Sequence, residues 1–323
     1  MTVTLPIQWV KKLNLKPGDD IDLTENNGSL TISAEGKSKE KATVIDITNF
    51  TIPLLWRFVQ SAYRSGCDEI KLKFDPTNKN HEDAYHYYTS NFDYRLLGDK
   101  VSTKSALVML QSVVDRFIGM GIIETGKDYC IIKELGEPTM KEFENSLRRI
   151  FLVIIQMFER VIEAIENSEI GNIQLCKELH TIDLNIDRFV DYCCRILNKI
   201  PGHYTESKKI LLFSTLFILE LIGDEFKYIG KHLAVSKNPV KEVIPLSNKI
   251  KEHFEIYYKL FYKFDKETAI EFGNNDYEIY SNHFKNFKVK KQHSGESRSI
   301  ARHFMMISKL TWSLAELRIE MEF

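Results

Sequence analysis

The order of apolar and polar positions changes character twice along the chain, giving three regions. In the first forty residues apolar positions are sparse and alternate. Val3–Thr4–Leu5–Pro6 reads as a short extended piece, Gln8 to Leu13 as one or two helical turns, and Lys16–Pro17–Gly18 as a turn. Ile21–Asp22–Leu23 and Leu30–Thr31–Ile32 flank Asn27–Gly28, the pair that a tight hairpin favours. Such a unit cannot bury its apolar face alone, so it must dimerise or dock. The charged run from Glu35 to Lys41 reads as a linker.

From residue 42 to 137 the pattern is mixed. Thr43 to Ile47 and Ile70 to Phe74 read as strands. Pro53 opens a helix through Leu54, Leu55, Phe58 and Ala62 to Tyr63, and Gly66 closes it. Residues 75 to 102 are polar and Tyr-rich and carry no clear element. Ala106 to Phe117 reads as a helix, and Ile122–Ile123 with Tyr129 to Ile132 as a hairpin around Gly126–Lys127–Asp128.

Beyond Pro138 the period becomes helical. Thr139 and Glu142 form a capping box. Met140, Phe143, Leu147, Ile150, Ile154, Met157 and Val161 then recur at alternating spacings of three and four, the seam of a bundle. Five more helices follow, near Ile170–Ile200, Glu206–Leu233, Val240–Phe264, Glu267–Phe287 and Glu296–Glu320, with Pro201–Gly202 stopping the second. The expected fold class is a multi-domain, mainly α protein. It has a small β swapped-hairpin arm (1–40), a central α/β segment (42–137) and two three-helix bundles (138–234 and 235–323).

Composition narrows this further. The 323 residues carry 44 Lys+Arg against 45 Asp+Glu, a balance that argues against a surface devoted to nucleic acid while leaving room for a local basic patch. Five cysteines, Cys67, Cys130, Cys176, Cys193 and Cys194, lack any Cys-x-x-Cys spacing, so a disulfide framework or a zinc ribbon is not expected. They read as small core hydrophobes in a reducing cytoplasm. No secretory signal is visible. The most apolar run, Ile210 to Ile222, is interrupted by Ser214, Thr215 and Glu220, whereas a span needs about 20 predominantly apolar residues.

Two carboxylate couples are the main candidate chemistry. Asp183 and Asp187 lie four apart on the second long helix, and Glu220 and Asp224 four apart on the third. That spacing puts each couple on one helix face, where like charges repel unless a cation intervenes. Glu220 follows the apolar run Leu216–Phe217–Ile218–Leu219, where an unpaired charge is costly. Hard carboxylate oxygens suit Mg, Ca, Mn, Fe or Zn. The alternative is ordinary ion pairing with Arg188, Arg195 or Lys227. His180, on nearly the same face, reads as a surface histidine or a further ligand. The chain has no phosphate-binding Gly-rich loop, no Gly-x-Ser-x-Gly elbow, no helical Glu-x-x-His and no His-Glu-x-x-His.

Two family resemblances meet these residues. Val3 to Pro6, Trp9–Val10 and Leu13–Asn14–Leu15–Lys16–Pro17–Gly18–Asp19 resemble the looped-hinge (SpoVT-AbrB) hairpin of AbrB-type regulators. Glu220–Leu221–Ile222–Gly223–Asp224 with Lys227 and Ile229, and Asp183 with Asp187–Arg188, resemble PhoU, a phosphate-uptake regulator of two three-helix bundles. Arg116 to Glu124, leading to Leu147–Arg148–Arg149–Ile150–Phe151, resembles archaeal-type proteins that join the two. The resemblance implies Asp183, Asp187, Glu220 and Asp224 as ligands of a divalent or ferric ion (Fe, Zn, Mg, Mn or Ca). In the second bundle Ser308, Trp312, Asp276 and Tyr280 stand where further acids would be, so one metal site is expected, not two.

The arm has no Arg, and residues 1–42 hold six Lys against six acids. In a swapped homodimer Lys11, Lys12 and Lys16 of both chains would gather into one DNA-binding patch, or the arm would only dimerise. The leading expectation is a cytoplasmic, non-catalytic regulator of phosphate uptake and homeostasis. It would contact a phosphate-transporter ATPase or a sensor component. The alternative is an AbrB-type DNA-binding transcriptional regulator whose helical part senses metal or phosphate. A metal-dependent hydrolase is the third reading, weakened by the lack of a general base or substrate loop.

Overall fold

In the computed structural model of the protein the described residues are 3–26, 29–34, 40–77, 106–285 and 294–323. The Asn27–Gly28 turn, most of the 35–41 linker and most of the 75–102 stretch lie outside them. The fold is mainly helical, with nine α-helices, one hairpin and a four-stranded sheet among the described residues.

The arm is α1 (Ile7–Lys12) followed by β1 (Asp22–Asn26) and β2 (Ser29–Ser33), paired antiparallel with Leu23 opposite Ile32. Positive φ at Asn14 and Gly18 turns the chain between α1 and β1. No residue of α1 is buried, and Val3, Ile7, Leu23 and Leu30 are each more than half exposed. A two-stranded hairpin so exposed has no core of its own.

The central segment is built as the alternation predicts. It runs β3 (Ala42–Asp46), α2 (Ile52–Arg64), β4 (Glu69–Lys73), α3 (Ala106–Val114), β5 (Met120–Thr125) and β6 (Tyr129–Glu134). The sheet order is β3-β4-β6-β5. Strand β3 is parallel to β4 across the α2 crossover, and the β5–β6 hairpin adds antiparallel on β4. Ile70, Leu72, Cys130 and Ile132 point into the core, as do Leu55, Val59 and Tyr63 of α2. The Tyr63 ring stacks on Phe117 at 4.5 Å, and Gly66, at φ +82°, ends α2 against Lys199.

The rest is helical: α4 (Met140–Glu166), α5 (Ile173–Lys199), α6 (Glu206–Val235), α7 (Ile244–Tyr262), α8 (Lys266–Glu278) and α9 (Gly295–Glu320). Thr139 and Glu142 make the expected capping box, and Asn172, Thr205, Asp265 and Ser294 accept backbone N–H groups at the starts of α5, α6, α8 and α9. The fifth helix departs from expectation. Regular α-helix stops at Glu278 and a π-helical segment, Ile279–Phe284, follows.

Helices α4, α5 and α6 pack on one another, α7 takes α8 and α9, and α9 also lies along α6 while α4 lies along α7. The apolar core therefore runs unbroken across residue 235. Phe158 of α4 is its hub. Its ring centroid is 4.7 Å from Phe226 (α6), 5.9 Å from Phe254 (α7) and 6.4 Å from Phe304 (α9), and all four rings are fully buried. All five cysteines are buried and free; burial pushes Cys194 up to about 12 and raises Cys193 as well.

Phe158→Ala is expected to cost about 3–5 kcal/mol, by the loss of aromatic burial plus the cavity left behind. Urea unfolding would show it as one shifted transition for both helical halves if the core is shared. A second expectation concerns His253, which is fully buried and stacked on Phe272 at 4.1 Å. Burial, with Lys249 nearby, presses it from its ordinary 6.5 down to about 3. A depressed histidine contributes stability that is present above 6.5 and is lost as pH falls toward 3. His253→Phe should remove that part of the acid sensitivity, read as a smaller drop in melting temperature between pH 7 and pH 4.

Candidate functional site

The site is built on one face of α5. Residues 183, 187, 191, 195 and 199 follow at intervals of four, so Asp183, Asp187, Asp191, Arg195 and Lys199 form one ridge, three acids and then two bases. Helix α6 crosses the acidic end at two glycines. A Cβ at Gly223 would stand 2.8 Å from Asp183 Oδ1, and one at Gly230 would stand 2.7 Å from Leu179 Cδ1. Only glycine permits this approach, and it seals Asp183 completely from solvent.

Each acid meets a cation. Lys227 of α6 places its ammonium 2.7 Å from Asp183 Oδ2 and 2.5 Å from Asp224 Oδ1. Arg116, after α3, reaches Asp187 Oδ2 at 2.6 Å, with its guanidinium 4.1 Å above the Trp56 ring. From α2, Arg64 donates to Asp191 Oδ1 at 2.5 Å and lies 3.7 Å from Glu220, while Gln60 donates to both Asp191 oxygens. The basic end reverses the polarity. Arg195, fully buried, donates to the Tyr63 carbonyl at 2.9 Å and to Glu134 at 2.7 Å. Lys199 bridges Asp68, at 2.5 Å, and Glu134. Asn198 closes the seam by donating to the Arg64 carbonyl. The ridge is thus the surface on which the α/β segment is seated.

Burial sets the proton affinities. It raises Asp183 well above the usual carboxylate range, and the neighbouring Asp187 adds to the effect while Lys227 opposes it. Burial raises Asp187 and Asp191 against the pull of Arg116 and Arg64. Glu220 rises to about 7 through burial and the nearby Asp187. Burial works against the charge on Lys227, but Asp183, Asp224 and Asp187 outweigh it and raise its pKa. Burial together with Lys227 and Arg116 holds His180 down at about 4, so it is neutral at neutral pH.

The four acids singled out in the sequence, Asp183, Asp187, Glu220 and Asp224, come together at the α5–α6 seam. As folded they do not fit a resident metal. The Lys227 ammonium stands between Asp183 and Asp224, where an ion bridging the helices would sit, and Arg116 and Arg64 face the other two. Among the described residues no three His, Cys, Asp or Glu side chains are grouped to hold an ion. One oxygen, Asp183 Oδ1, has no hydrogen-bond partner and faces Gly223. In the second helical half Asp276 lies 3.8 Å from His253, Tyr280 is exposed, Ser308 is buried, and Trp312 stacks on Phe272 and donates to Glu316. Among the described residues no second carboxylate couple forms there.

Sequence reasoning missed Asp191, Gln60, Arg64, Glu134 and Lys199, and it offered Arg195 as a partner of the acidic couples, whereas Arg195 pairs with Glu134. The signal for part of it was present: the four-residue interval simply continues past Asp187. The partners on α2 and β6 are far away in sequence and no spacing reveals them. In the arm, Lys11 and Lys12 end α1 and Lys16 lies in the following turn, all exposed.

Residues 2–40 match the model of the family described as antidote-toxin recognition MazE, bacterial antitoxin. The arm is therefore similar to MazE- and AbrB-like domains. No curated protein and no solved structure matches the chain. No helix among the described residues is long and apolar enough to cross a membrane.

Lys227→Met leaves Asp183 buried without its cation, an imbalance worth about 3–5 kcal/mol. Asp183→Asn in the same chain should recover most of the loss. A double-mutant cycle by urea unfolding reads the coupling, and simple additivity of the two changes would show that the pair is not coupled.

Proposed function

We propose that this chain is a non-catalytic, dimeric regulator of phosphate uptake, in which the N-terminal arm joins two copies and the helical body carries the regulatory contacts. The observation that carries the dimer is the exposed apolar side of the arm, Val3, Ile7, Leu23 and Leu30, on a segment that matches a MazE-type model. Such domains commonly form dimers and bind DNA. A second copy would cover the apolar side and bring Lys11, Lys12 and Lys16 of both chains onto one surface.

Phosphate uptake as the regulated process is supported by the resemblance of the Glu220–Asp224 and Asp183–Arg188 helices to PhoU. The partner in this reading is a phosphate-transporter ATPase or a sensor component. The ion-paired ridge modifies the resemblance: the acids hold the α/β segment in place through the chain's own cations, and no metal chemistry is assigned to them. The second reading, a DNA-binding transcriptional regulator, is favoured by the three exposed lysines at the end of α1 and in the turn after it.

Light scattering on the full chain is expected to give a dimer, and a chain starting at residue 41 a monomer. Pull-down against the host's phosphate-transporter ATPase should retain it, and uptake of inorganic phosphate should be altered in a deletion strain. DNA binding, if it accompanies this role, should weaken with rising salt, and replacing Lys11 and Lys12 with Gln should flatten that slope by about one per lost phosphate contact. A monomeric full chain with no transporter contact would end the reading. A dimer that binds only DNA would select the second.

A further inference from the structure

A groove of about 670 Å³ opens between the first turns of α4 and α6 and the last turns of α7 and α9, on residues the regulatory reading does not use. That volume lies within the range of small-ligand sites, roughly 300–1,000 Å³. Phe143, Leu147 and Leu212 are buried beneath the groove, and polar, charged and tyrosine side chains make up most of its open lining. Its walls carry three cations from three helices, each laid over an aromatic ring. The Arg148 guanidinium is 4.6 Å from the Tyr262 centroid, the Lys208 ammonium 5.1 Å from Tyr204, and the Arg318 guanidinium 4.9 Å from Phe264.

The three cations are not equivalent. Arg318 is committed to the fold: it donates to the Phe261 carbonyl at 2.9 Å and pairs with Glu322. Arg148 is held by the Tyr262 ring and its side-chain hydroxyl, and Lys208 by the Tyr204 ring. Glu144 is the one other acid of the lining, so the groove keeps a net positive charge. Ring contact fixes the position of both cations, which lowers the ordering cost of meeting an anion.

A groove that holds two cations beside the Tyr204 and Tyr262 rings suits a ligand with both a flat ring and a phosphate. Inorganic phosphate alone would leave most of the volume empty. We propose that this groove is a nucleotide-binding site, with Arg148 and Lys208 on the phosphates and the base beside Tyr204 and Tyr262. Because the walls come from both helical halves, a bound nucleotide ties α4 and α6 to α7 and α9. The site is independent of the arm, and its test does not depend on the arm's role.

Isothermal titration of the full chain with ATP, AMP, adenosine, tripolyphosphate and inorganic phosphate decides it. ATP or AMP should bind at sub-millimolar concentration and raise the melting temperature. Adenosine and tripolyphosphate should each bind at least tenfold more weakly, and inorganic phosphate more weakly still. Arg148→Gln and Lys208→Gln should each weaken nucleotide binding by about tenfold, the loss of one charge-assisted contact. Both side chains are exposed, and an unchanged melting temperature without ligand confirms that each variant is folded. Absence of nucleotide binding at millimolar concentration overturns the proposal. So does tripolyphosphate binding as tightly as ATP, or nucleotide binding that neither substitution weakens.

Discussion

A carboxylate taken out of water must find a cation or a proton, and the body of this protein is arranged around that demand. Asp183, Asp187 and Asp191 stand in line on α5, the first and third sealed from solvent and Asp187 only 17% exposed. Lys227 answers the first from the neighbouring helix. Arg116 and Arg64 answer the second and third from the α/β segment. Where the ridge turns basic, the carboxylates come from the opposite side, Glu134 and Asp68. This change of sign fixes the register of one segment on the other, because sliding by one helical turn would set an acid against an acid. Buried ion pairs are weak sources of stability and good sources of specificity.

The same arrangement explains why a motif that resembles metal-binding PhoU helices behaves here as a seam. Two helices approach at Gly223 and Gly230 close enough to trap Asp183, and Lys227, one turn beyond Asp224, pairs with both Asp183 and Asp224. The charge problem that the spacing exposes has been solved from within the chain.

Much of the architecture was legible beforehand. The spacing of three and four gave the first long helix, Thr139 and Glu142 gave its capping box, and stop signals gave the outline of the other five, while the caps at Asn172, Thr205, Asp265 and Ser294 emerge only in the structure. Strands β3 to β6 were visible from their alternation and from the turn residues around Gly126. The local pairings of the site were partly visible, because Asp183, Asp187, Glu220, Asp224 and Lys227 lie on two consecutive helices. What stayed hidden was non-local. Arg64 and Asp191 are 127 residues apart, as the bond between them records, and nothing in either neighbourhood names the other. The shared core around Phe158 was hidden for the same reason: a helical period shows that a face is buried, never what covers it.

The five sealed thiols have a practical consequence. A thiolate is the reactive form, and burial suppresses it at Cys193 and Cys194 on α5, beside the ridge, as it does at Cys130 on β6. Alkylation of these positions therefore has to wait until the surrounding packing separates. Mapping which of them is modified first would give the order in which the α/β segment and the helices come apart, with no label added to the molecule.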